Sequence, residues 1–148
     1  MKALVDTTKR AILIVPFLVL TIRATSWAVG TNYYVSTNGL LGGTGASWEQ
    51  AFTNIQQALD VVGDNDAIRL AGHTFWVSRQ LQWTNGANVQ ITGGWQGTGD
   101  PGANDPALWP TILQRPASST NGILYVNTAT GSLENVSVVG GYINGISS

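Results

Sequence analysis

Asn88-Val89-Gln90-Ile91-Thr92-Gly93-Gly94 returns 47 residues later as Asn135-Val136-Ser137-Val138-Val139-Gly140-Gly141. In each copy two apolar residues flank a polar one. Val89 and Ile91 are therefore predicted to face one side of a strand and Gln90 the other, as are Val136 and Val138 against Ser137. The glycine pairs allow a sharp corner directly afterwards. A chain that repeats a strand-and-turn unit at this spacing reads as stacked coils, each burying its inner face only against its neighbours. The two copies are expected to be equivalent segments of two such coils.

Other short β-rich runs surround the repeat. Tyr33-Tyr34-Val35-Ser36 leads into a glycine-dense loop from Thr37 to Gly45, and Ala67-Ile68-Arg69-Leu70 places Ile68 and Leu70 inward with Arg69 outward. Further strands are predicted at Phe75 to Val77, Leu81 to Trp83, Thr111 to Leu113 and Ile123 to Val126. Ile68, Val89, Thr111 and Val136 follow one another at 21, 22 and 25 residues. Coils of about 20 to 25 residues would give that rhythm, although a β-sandwich also spaces its strands closely. One helix is predicted, from Trp48 to Val62. Ser47 and Gln50 form a capping-box pattern, Trp48, Phe52, Ile55, Leu59 and Val62 recur at helical spacing, and Gly63 ends the run. Its apolar stripe would cover the first open coil.

The start of the chain reads differently. Lys2, Lys9 and Arg10 precede the apolar run Ala11 to Leu20, and Ser26-Trp27-Ala28 offers small residues where a signal peptidase cuts. Residues 1–28 are therefore expected to be a cleavable secretory signal, because the apolar run falls well short of the ~20 residues of a membrane span. Any membrane association is expected only through that signal. The remainder, 29–148, would carry three arginines against seven acids, a formal net charge of −4. Nucleic acid is an unsuitable partner for such a surface, since phosphate recognition needs a basic patch. The 148 residues include no cysteine, so a secreted product relies on packing instead of disulfides. A bacterial envelope or extracellular location is expected.

An ordered set of motifs runs through this region. It comprises Tyr33-Tyr34-Val35, Gly45-Ala46-Ser47-Trp48 with Ala51-Phe52, Ile55-Gln56-Gln57-Ala58-Leu59, Gly63-Asp64, Ile68-Arg69-Leu70-Ala71, and Asn88 through Trp95 with Gly97-Thr98. Over roughly Tyr33 to Leu113 the chain resembles the N-terminal region of secreted bacterial right-handed parallel β-helix proteins of the pectate-lyase-like superfamily. Within it, the surface-anchored choice-of-anchor and polymorphic outer-membrane-like proteins are the most similar. The resemblance implies an all-β right-handed parallel β-helix of about three coils with an N-terminal amphipathic capping helix. The chain departs from that pattern at Gly72-His73-Thr74-Phe75, where a Gly-Thr-Tyr is usual, and at Gly99-Asp100-Pro101-Gly102, where charged residues often follow. Members normally continue for many coils, so 29–148 is expected to be the cap and first coils of a truncated helix, marginal in stability and prone to associate.

Candidate chemistry is sparse. The resemblance implies that lyases of this fold use calcium and a basic proton acceptor and hydrolases paired carboxylates, but the outward strand positions read as Arg69, Gln90 and Ser137. Asp64 and Asp66 lie in a turn, where carboxylates usually bond their own backbone. With Asn65 they could supply part of a calcium shell, as could Asp100, Asn104 and Asp105, although neither group has a calcium-loop spacing. His73 has no triad or zinc partner in the sequence. The five tryptophans Trp48, Trp76, Trp83, Trp95 and Trp109 carry the stronger hint, because an aromatic face can stack on a sugar ring. Trp48 is assigned to the helix, while Trp83 and Trp95 are the candidates for ligand contact. The expected function is adhesion or contact with an extracellular polysaccharide or cell-surface glycan, without catalysis in this segment. The alternative is the N-terminal part of a polysaccharide lyase or glycoside hydrolase whose catalytic coils lie elsewhere.

Overall fold

The computed structural model describes residues 30–140; the expected signal at 1–28 and the second glycine of the later repeat lie outside them. Nine strands and one helix follow in the order β1 (Asn32–Val35), α1 (Ile55–Val61), β2 (Ala67–Ala71), β3 (Thr74–Trp76), β4 (Leu81–Trp83), β5 (Val89–Trp95), β6 (Thr111–Gln114), β7 (Leu124–Val126), β8 (Gly131–Glu134) and β9 (Val136–Val139). They form three sheets, β1-β2-β5-β8, β3-β6-β9 and β4-β7, and every named strand pair is parallel. From β2 onward the chain visits the three sheets in strict rotation.

Register explains the core. Tyr33, Ile68, Ile91 and Leu133 stand in one column across the first sheet, and Phe75, Leu113 and Val138 in another across the second. Period-two alternation turns these residues inward, where they meet Leu81 and Trp83 of the third sheet and Ile55, Ala58 and Leu59 of α1. Burial is complete at Ile68 and Leu70 and nearly so at Ile91 and Leu113. It fails at the last rung of each column: Leu133 is 38 % exposed and Val138 53 %.

The other end is covered. Gln56 of α1 accepts a hydrogen bond from the Gln82 amide and donates one to the Gln82 carbonyl, which closes the free edge of β4. The segment Gly45 to Phe52 does the same for β1, through Tyr34 N–H to Gly45 O, Phe52 N–H to Tyr34 O and Ser36 N–H to Phe52 O.

Those bonds correct the helix boundary. Phe52 bridges Val35 in parallel, so its backbone is extended and the helix cannot begin at Trp48. α1 starts after Asn54, whose side chain accepts from Gln57 N–H while the Gln57 side chain accepts from Asn54 N–H. Ser47 and Gln50 bond each other in a turn instead. Trp48 sits off the helix in a second small cluster with Tyr34, Ala51, Ala71 and Trp95 on the outer side of the first sheet. Its indole N–H donates to Pro101 O.

The repeat also takes a different meaning. Val89–Trp95 lies in the first sheet, whereas Val136–Val139 lies in the second and pairs with β6. The strand in register with β5 is β8, which starts with Gly131 and holds a single large apolar residue, so the alternation signal misses it. What recurs is the corner: Asn88 and Asn135 both precede their strands with positive φ, at 57° and 55°. Asparagine tolerates this left-handed backbone better than most residues. Asn65 has φ 63° before β2, and the Asn88 side chain donates to its side-chain oxygen at 3.1 Å, so two successive corners are joined. The even coil step holds only in part. Ile68 and Ile91, 23 residues apart, are partners, as are Thr111 and Val136, 25 apart, but Val89 pairs with Gly131, because the segment between β5 and β6 loops out and pairs back on the end of β5. Gly93 is required where β5 passes that corner, since a Cβ there would collide with Asn135 O.

Leu70 is fully enclosed, so Leu70→Ala is expected to cost about 2–5 kcal/mol. Urea unfolding followed by far-UV circular dichroism would measure this; a loss below ~1 kcal/mol would contradict the packed core.

Candidate functional site

Outward positions on β3 follow from its inward ones. Phe75 is buried, so Trp76 next to it points away from the core and its ring is 68 % exposed. The chain then turns through Ser78 and Arg79 into β4, and both side chains are exposed. Across from this turn stand Thr53 to Gln56 at the start of α1, with Thr37 beside them. Together they enclose a cleft of about 380 Å³. Its floor is apolar, from Ile55, Phe75, Val77 and Leu81; its rim is polar, and Trp76 forms a wall.

Several rim groups are fixed before any ligand arrives. Thr53 and Asn54 are held by the Gln57 side chain, and Gln56 is tied to Asp60 and to the Gln82 backbone. Thr37 is pinned by His73: its N–H donates to His73 Nδ1 at 3.2 Å, and its Oγ1 lies 2.8 Å from the same nitrogen. A backbone N–H can only donate, so Nδ1 serves as the acceptor for Thr37. His73 is thus a brace between the β2–β3 turn and the wall of the cleft. Arg79 is free: among the described residues it has no carboxylate within 4.0 Å and no hydrogen-bond partner. The lowered pKa of the exposed Glu49 carboxyl, caused mainly by a hydrogen bond from the Ser47 side chain, belongs to the covering loop and not to the cleft.

The sequence candidates lie elsewhere. Trp83 is 3 % exposed in the core, and its indole N–H donates to Asn85 O. Trp95 is 8 % exposed on the outer side of the first sheet, with the Arg69 guanidinium 4.5 Å from its ring centroid. Neither ring offers a face to a sugar. Asp66 accepts from the amides of Thr31 and Gly63, and Asp64 from that of Ala87, so these carboxylates hold backbone turns. Asp105 similarly accepts from Ala107 N–H, and Asn104 donates to Gly93 O. Among the described residues no three His, Cys, Asp or Glu side chains come together in one group. Recognition of β8 adds an outward row that sequence reading missed, Tyr34, Arg69, Thr92 and Glu134 in register across the first sheet.

No family model matches the chain, and neither a curated protein nor a solved structure matches it. Among the described residues no helix is long and apolar enough to cross a membrane.

Trp76 and Trp83 should respond oppositely to truncation. Trp83→Ala is expected to destabilise by about 3–5 kcal/mol, and Trp76→Ala by less than ~0.5 kcal/mol. Denaturant melts of the two variants would check this; a large loss at Trp76 would assign it to packing. His73→Ala is expected to speed hydrogen exchange at the Thr37 amide, read by NMR, while leaving exchange at Ile68 unchanged.

Proposed function

We propose that this chain is a secreted or cell-surface right-handed parallel β-helix of the pectate-lyase-like kind, which contacts extracellular glycan without catalysis in this segment. The fold half of this reading is supported by the rotation through three parallel sheets and by the in-register columns. Handedness follows the rule that crossovers between parallel strands of one sheet are right-handed in about 98 % of cases. Secretion rests on the basic residues, apolar run and small-residue site within 1–28.

The observation that carries the functional half is Trp76, a large aromatic ring 68 % exposed on the wall of a cleft with a polar rim. Water is a poor solvent for that ring face, and a sugar presents just such a surface, with apolar C–H groups on its faces and hydroxyls at its edges. The edge hydroxyls would find Thr37, Ser78 and the amide of Asn54 around the rim. Thr37 is pinned by His73 and Asn54 by Gln57, so little ordering entropy is lost at those two groups when a ligand binds. The ligand site is therefore assigned to Trp76, in place of Trp83 and Trp95.

Probing an array of bacterial and plant glycans with the purified protein is expected to give binding that Trp76→Ala weakens at least about tenfold and Trp95→Phe leaves within about twofold. No retained glycan, or equal retention by the Trp76→Ala protein, would overturn the reading. Fusion of residues 1–28 to a reporter enzyme is expected to export it.

A further inference from the structure

Among the described residues, every hydrogen bond of Thr37 ends on one atom. Its N–H donates to His73 Nδ1 at 3.2 Å, and its Oγ1 lies 2.8 Å from the same nitrogen. Thr37 lines the Trp76 cleft and opens the glycine-dense loop that runs to Gly45. Beyond it the loop is fastened separately, through Asn38 N–H to Ser36 Oγ, Gly39 N–H to Ser36 O and Leu40 N–H to Ala51 O. A single ring nitrogen therefore holds this part of the cleft wall. The His73 side chain is half-buried, so solvent protons reach it.

We infer that His73 is a pH-sensitive latch on the cleft wall, closed on Thr37 while its ring is neutral and released when the ring takes up a proton. An imidazolium carries a proton on both nitrogens, so Nδ1 turns from acceptor to donor. The two links to Thr37 then behave differently. The hydroxyl can rotate and accept where it had donated, and that contact survives. The backbone amide has no such choice, and two N–H groups are left facing each other. Release is thus centred on the backbone of Thr37, between Ser36 and the separately fastened Asn38. The latch holds above the titration of the ring and is lost as pH falls through it, in the span of about pH 5 to 8 where histidine changes charge. None of this depends on what occupies the cleft.

The surroundings leave that control to His73. Ser36 and Thr37 face the ring from the end of β1, Phe75 lies beside it on β3 with ring centroids 6.4 Å apart, and Ile112 of β6 donates to its carbonyl; none of these is ionisable. Two charged residues belong to the elements that pack here. Arg79 lines the cleft together with Thr37, and Asp105 lies in the segment whose Trp109 packs against Gly72. The Asp105 carboxylate is taken by the amides of Ala107 and Leu108. Among the described residues no carboxylate lies within 4.0 Å of the imidazole.

Hydrogen exchange of the intact protein, followed by NMR from about pH 8 to about pH 5, tests the latch without a ligand. Rates are divided by the intrinsic rate of a free amide at each pH. The Thr37 amide is expected to lose about fivefold or more of its protection on acidification, roughly the worth of one hydrogen bond, with the same midpoint as the His73 ring resonances. Ile68 should keep its protection throughout. His73→Asn puts an amide oxygen near the place of Nδ1 and takes up no proton in this range, so Thr37 should stay protected at both ends of the titration. Protection of Thr37 that ignores pH, or a midpoint more than about one pH unit from that of the ring, would overturn the inference. So would an equal loss at Ile68, which reports general acid unfolding, or a loss that persists in His73→Asn. If that variant does not fold, the titration of the unaltered protein decides alone.

Discussion

Like stacks on like along a parallel register, and the rest of the molecule answers to that constraint. Ile68 sits between Tyr33 and Ile91, and Leu113 between Phe75 and Val138, so each inward side chain is enclosed by its counterparts one rung away. With no disulfide to close the chain, this contact and the backbone ladders beside it supply the cohesion. A parallel ladder also dictates the corners, because the chain must turn three times before it returns to the same sheet. Asn65, Asn88 and Asn135 serve at corners, where a left-handed backbone is needed and a glycine would forgo the side-chain bond that links Asn88 to Asn65.

Most of this was legible, and the failures share a cause. The inward and outward assignments at Ile68, Arg69, Leu70, Val89, Gln90 and Ile91 follow from alternation alone and agree with their burial. Alternation does not say which sheet a strand joins, which is why two copies of one motif were expected to be equivalent and instead occupy different sheets. The strand that does pair with β5 was hidden by its composition, Gly131-Ser132-Leu133-Glu134, whose stability comes from pairing and not from its own side chains. The helix boundary failed because a periodic apolar pattern at Trp48 and Phe52 was overridden by backbone bonds to β1, a tertiary effect that a local pattern does not encode.

The cleft was recoverable in principle. Once Phe75 to Val77 is read as a strand with Phe75 and Val77 inward, Trp76 must point outward, and an outward tryptophan is the one worth asking about. Trp83 faces the same interior as Leu81, and Trp95 packs with Tyr34 and Trp48 beneath the Arg69 guanidinium. The position of Arg79 beside Trp76 was equally plain in the sequence. What the sequence did not disclose is the opposite wall, brought from Thr37 and from the start of α1.

The contrast between the two ends of the stack bears on how the chain opens. At one end α1, the Gly45 to Phe52 segment and the Asn corners engage β1, β2, β4 and β5; at the other, Val126, Leu133 and Val138 give their columns only one-sided cover among the described residues. β7, β8 and β9 are therefore the strands expected to fray first, as local openings begin where buried contacts are fewest. The Trp76 cleft lies at the covered end, so it would hold its shape through openings that unravel the last rung.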